Sequence, residues 1–170
     1  MGNQNLKARN KFFRSSMFAV SALAVLSMSF LSSEEAVYFP DGFRRWVHVG
    51  TGVIMPGTNP QFASEEGMHH IFANQKAVEG YASGDFADGS MVVYELRETK
   101  QNNGVIFEGD RKRVDVMTKD SAHYGSTGGW RFQRFFGNDQ AQSAIHDSGA
   151  SCYQCHQKAT AHGFIFSRLQ

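Results

Sequence analysis

The only two cysteines of this 170-residue chain stand three apart with a histidine directly after the second, as Cys152, Cys155 and His156 in the stretch SCYQCH. Two thiols at this spacing can add to the vinyl groups of a porphyrin, while the adjacent imidazole is carried beneath the ring to ligate its iron. Two other uses stay open on the residues alone. A thioredoxin-like redox pair uses the same spacing, but at a helix start early in a βαβ unit. A zinc site would need a second pair of ligands, and the chain has no further cysteine and only scattered histidines. A disulfide across so small a loop would stabilise little. The pattern predicts one covalently attached haem c per chain, bound through Cys152 and Cys155, with His156 as the metal ligand.

The place of the motif says more about the iron. Electron-transfer cytochromes c commonly carry it near the N-terminus and a methionine ligand far downstream; here fourteen residues follow His156 and none is Met. Met55, Met68, Met91 and Met117 lie upstream and are better explained as packing. His69 and His70 are neighbours, so in an extended segment they point to opposite sides, and they read as one buried and one exposed histidine. With no sixth ligand standing out, the iron is expected to keep one face open to small molecules.

The elements that must position these groups are mostly strands. FRRWVHVGTGV from Phe43 alternates apolar and polar residues and ends in the turn residues of MPGTNP. A short helix is expected around Gln75 to Ala82, stopped by Gly84, and the β-rich SMVVYELRET follows. After the turn KQNNG come three more expected strands, VIFEG, RKRVDVMTKD and WRFQRFF, and then a polar helix or loop, NDQAQSAIHDSG, that leads into the cysteine motif. The fold class is α+β: mainly antiparallel β-sheet with a few helices and a C-terminal haem-attachment segment. GDRKRVD reads as a solvated basic face, and Trp46 and Trp130 as core or dimer-interface residues.

Residues 1–36 read as a secretory signal: Lys7, Arg9, Lys11 and Arg14 without an acid, then an uncharged run from Ser15 to Ser33, with Ser33 and Ala36 as candidate last residues. The apolar centre, Met17 to Leu31, is shorter than the roughly 20 residues of a spanning helix, so cleavage is favoured over a retained anchor. Residues 37–170 then form a single c-type haem domain, periplasmic or otherwise exported. Seventeen Lys and Arg stand against sixteen Asp and Glu over the full chain, and the four basic residues of the leader leave the rest without a basic field for nucleic acid or anionic lipid.

Four stretches in order, FPDGFRRWVHVG, MHHIFANQKAVEGYASGDFADGSMVVYEL, VMTKDSAHYGSTGGWRFQRF and the cysteine motif, resemble the cytochrome P460 family and, within it, the cytochrome c′-beta branch. The resemblance spans nearly the whole mature chain. It implies a homodimer of mainly antiparallel β domains, a five-coordinate c-type haem, and a distal face that meets small gaseous or nitrogen-oxide ligands. It also places Tyr94 where hydroxylamine-oxidising members carry a lysine joined to the porphyrin edge and where c′-beta members carry an aromatic ring. Alternation puts Tyr94 on an apolar strand face with Val92 and Leu96, where it could equally be a core tyrosine; the resemblance implies that this face is the distal wall, with Phe62 of QFASEEGMHH as a second aromatic cap. Binding of nitric oxide for scavenging, storage or sensing is the leading expectation. Hydroxylamine oxidation is the alternative, weakened by the missing lysine, and simple electron transfer is the second alternative; a redox partner protein is a further candidate partner.

Overall fold

A computed structural model describes residues 38–58 and 60–169, together with Gly2; the leader read at residues 1–36 otherwise lies outside the described residues. Five strands, β1 (Val47–Ile54), β2 (Gly67–Ala73), β3 (Met91–Asn102), β4 (Val105–Lys119) and β5 (Trp130–Phe136), pair antiparallel in sequence order. The mainly antiparallel α+β class is therefore observed. Among the described residues two helices complete it, α1 (Gln75–Ser83) and α2 (Ala150–His156), together with short 3-10 turns.

Local chemistry explains several boundaries. Asn74 caps α1 by accepting a hydrogen bond from the Ala77 amide at 2.9 Å, and Gly84, with φ of 80°, ends it in the left-handed region that glycine adopts freely. Asn103 and Gly104 both take positive φ between β3 and β4, the tight hairpin expected of an Asn-Gly pair.

Two expected boundaries change. The first strand begins at Val47 rather than Phe43, because Gly42 turns the chain and Phe43–Arg45 form a 3-10 turn. VIFEG and RKRVDVMTK are one strand, not two: Gly109 lies opposite irregular register near Arg97 and Thr99, and a Cβ there would sit 2.9 Å from Glu98, so this glycine marks a close approach between strands, not a turn. GMHHIFA, expected only to be extended, pairs on both sides as β2.

The sheet is covered on both faces. Alternation sends Val92, Met117, Trp130 and Phe132 to one face, where they pack with α1 residues, Phe86 and Ile165. Val93, Val114, Val116 and Phe135 face the other way, against Phe43, Phe39 and Trp46 of the segment before β1. Trp130 is fully buried in the core, and Trp46 is partly buried beside the second cluster.

Candidate haem site

Helix α2 starts at Gly149, whose φ of 82° turns the chain into it. Asp147 supports this turn, its carboxylate accepting from the amides of Gly149 at 3.0 Å and Ser151 at 2.9 Å. Positions 152, 155 and 156 are spaced i, i+3 and i+4, so one side of a single helical turn carries both thiols and the imidazole. All three line one cavity of about 740 Å³, a size usual for cofactor sites. Both cysteines are free thiols; burial raises the Cys152 pKa, against the pull of nearby Arg134.

His156 is held for a single task. Its Nδ1 lies 2.7 Å from the Phe164 carbonyl oxygen, which can only accept, so in the neutral ring Nδ1 carries the proton and Nε2 keeps its lone pair. Burial lowers its pKa, and the bond to Phe164 only partly opposes this, which favours the neutral, metal-binding form. The rings of Phe132 and Phe166 lie 5.2 and 5.0 Å from the imidazole and limit its rotation. The segment that brings Phe164 into place is itself anchored: the Trp130 indole donates to the Gly163 carbonyl at 3.0 Å, and the Tyr81 and Ser167 hydroxyls are 2.6 Å apart.

The same cavity is lined by Tyr94 and Phe62, so the five residues singled out from the sequence share one space. Tyr94 stands on β3, two strands from the Phe132 of β5 that touches His156, about 10 Å at usual strand spacing. That separation, with a cavity of about 740 Å³, leaves room for a bound cofactor. Phe62 and Phe166 line the cavity yet remain 44% and 53% exposed, large apolar rings that a bound planar group would cover. Size, free thiols, fixed imidazole and uncovered rings all fit a covalently held haem.

The wall around Tyr94 is not apolar as expected. The Tyr94 hydroxyl donates to Glu65 Oε2 at 3.0 Å, and the same oxygen accepts from Arg113 Nη2. Arg113 Nε donates to Asp115 at 3.0 Å, and Arg134 grips Asp115 with bonds of 2.6 and 2.8 Å. Two carboxylates thus balance two guanidiniums along the cavity. Burial pushes the Glu65 pKa up, but the hydrogen bond and charge of Arg113, with the bond from Tyr94, bring it below the ordinary carboxylate range. Burial, together with the neighbouring Glu65 charge, raises the Tyr94 pKa strongly, so the phenol stays protonated.

GDRKRVD is accordingly no solvated face: Arg113 is buried, Arg111 donates to Glu95 at 2.8 Å, and Lys112 donates to the Glu66 carbonyl at 2.6 Å. Arg113, Asp115 and Met117 alternate along β4 and all line the cavity. Polar alternation on a strand ordinarily marks the solvent side, and here it marks a polar interior. Glu65, also missed, lies in a 3-10 turn with no periodic signal. Neither His69 nor His70 is fully buried or fully exposed. His69 lines the cavity and stacks on Tyr94 at 5.1 Å, whereas His70 bonds Thr51 and Glu108. Leu96 is buried but does not line the cavity. Met117 lines the cavity from within the core cluster, and Met91 packs on the opposite face.

The family model for Cytochrome P460 matches residues 40–167. No curated protein matches the chain.

Proposed function

The chain belongs to the cytochrome P460 family of haem-binding cytochromes, and on that premise we propose that it is an exported mono-haem protein of the c′-beta kind that binds nitric oxide or a related small ligand. Cys152 and Cys155 would hold the haem as thioethers, and His156, with Nε2 free, would be the residue that ligates its iron. When bound, the haem would supply a redox-active iron able to take a small ligand. The observation that carries the reading is the imidazole fixed by Phe164 at 2.7 Å in a cavity that Tyr94 and Phe62 also line. Tyr94 and Phe62 would narrow the space left for a ligand of the bound haem, and neutral nitric oxide needs no hydrogen bond to bind. Tyr94 in place of a lysine supports the c′-beta branch, and the exported homodimer is part of the same proposal.

One observation favours a second reading, hydroxylamine oxidation. Glu65 places an ionised carboxylate in the cavity, within one hydrogen bond of Tyr94, as a candidate acceptor of substrate protons, although Arg113 lowers its pKa and so weakens it as a base.

Protein matured in a host competent for c-type haem attachment provides the test. One haem mass per chain that survives acid denaturation, a high-spin five-coordinate ferrous spectrum and its change on adding nitric oxide are expected. An apoprotein mass, or a low-spin six-coordinate ferrous spectrum, refutes the proposal. Rapid hydroxylamine turnover with an electron acceptor would select the second reading.

A further inference from the structure

We infer that Glu65 fixes the polarity of the distal wall: by holding the Tyr94 proton it leaves this hydroxyl only lone pairs to present to a ligand in the cavity. The inference rests on the haem site proposed above and concerns which ligands that site accepts.

A tyrosine hydroxyl has one proton to donate and lone pairs to accept with. Here the proton is committed, since the hydroxyl lies 3.0 Å from Glu65 Oε2 and an ionised carboxylate can only accept. Glu65 is itself held in place. Arg113 binds the same oxygen, and a second nitrogen of Arg113 donates to the Ser64 carbonyl at 2.8 Å, fixing the guanidinium to the backbone beside Glu65. The Ser64 hydroxyl donates to Glu65 Oε1 at 3.2 Å. Arg113 is only 5% exposed, so the anchor is embedded in the protein.

The phenol ring has little freedom to turn its hydroxyl elsewhere. His69 stacks on it at 5.1 Å with 19° between planes, and the Arg113 guanidinium lies 5.6 Å from its centroid. His69 is backed in turn by Gly52, where a Cβ would sit 2.6 Å from the imidazole. Glu65 is therefore a positioning residue that acts through Tyr94. A ligand carrying N–H or O–H finds an acceptor in Tyr94. An anion meets lone pairs instead of a donor, and uncharged nitric oxide is affected little by either.

Fluoride added to the ferric holoprotein is the probe, because it is an anion that a hydrogen-bond donor strengthens and that can be titrated optically. Tyr94→Phe should not weaken fluoride binding relative to wild type, because the variant loses lone pairs and no available donor. Glu65→Ala should bind it at least about tenfold more tightly, as expected when a freed hydroxyl bonds a charged ligand. That gain should largely vanish in the Glu65→Ala/Tyr94→Phe double variant, which lacks the donor but keeps the charge change. The inference is overturned if Glu65→Ala gains nothing, if the double variant keeps the whole gain, or if Tyr94→Phe alone weakens fluoride binding tenfold. Should Glu65→Ala fail to fold, Glu65→Gln carries the same comparison with a smaller expected gain. A protein without haem, or with a six-coordinate ferric iron, refutes the haem-site reading instead. The Tyr94–Glu65 bond is then judged by ultraviolet titration of the phenol, where an unchanged ionisation pH in Glu65→Ala overturns it.

Discussion

His156 and Tyr94 are both defined by the hydrogen bonds they already make. His156 spends Nδ1 on a backbone carbonyl, and Tyr94 spends its proton on Glu65. Glu65 gives this arrangement a pH dependence. Its folded pKa lies below the ordinary glutamate value of about 4.3, because Arg113 and Tyr94 outweigh the effect of burial. As pH falls through the ordinary value the unfolded chain takes up the proton first. Stability contributed by Glu65 is therefore fully present above that value and is lost as pH falls through the folded one. Urea midpoints followed downward from about pH 6 should fall less steeply in Glu65→Gln than in wild type. Parallel acid limbs would show that Glu65 is not linked to folding in this way. The residue types of the cysteine motif were informative without a structure, because their chemistry depends on spacing within one helical turn. Glu65 was not, because a carboxylate before a strand looks the same in sequence whether it faces water or a guanidinium.

Among the elements, α2 matters most, since it carries both thiols and the imidazole on seven residues. Its entry is tightly constrained. At Gly149 the backbone is left-handed, and a Cβ would lie 2.9 Å from the Phe132 ring that packs on His156. Gly149→Ala should destabilise the fold by about 1–3 kcal/mol from backbone strain and overpacking together, and should disturb the imidazole through Phe132. Denaturant unfolding checks the first effect, and the ferrous spectrum of the haem-loaded variant checks the second; an unaltered midpoint would show that the turn is not under this constraint. Helix α1 and the Asn103-Gly104 hairpin were legible because their signals are local: a capping side chain, a terminal glycine, and two adjacent residues that tolerate positive φ. The continuity of β4 was not legible, because glycine can mark either a turn or a tight approach between strands, and only the partner strand distinguishes them.

At the scale of the whole molecule, a buried charge cluster ties the segment before β1 to the sheet. Glu95 on β3 is fully buried, with Arg111 Nε at 2.8 Å, Arg97 Nη1 at 3.1 Å and Arg44 Nε at 2.8 Å, the last an ion pair rather than an aligned hydrogen bond. Glu95→Ala would leave these guanidiniums without their shared partner and should cost about 3–5 kcal/mol. Arg44→Ala should cost clearly less, because Arg44 is partly exposed and Glu95 keeps two other partners. Urea denaturation of both variants checks the order, and equal losses would contradict it. The sequence by itself determined that Cys152, Cys155 and His156 share one helical turn, the strand-rich class and a helix starting at Gln75, because each depends on groups close along the chain. Only the tertiary structure decided that Arg113, Asp115 and Arg134 face a cavity and that Glu65 meets Tyr94 across 29 positions. Strand alternation separates two faces but does not say which face meets water, and with both faces of this sheet covered, the polar side of β4 had to find its partners inside the protein.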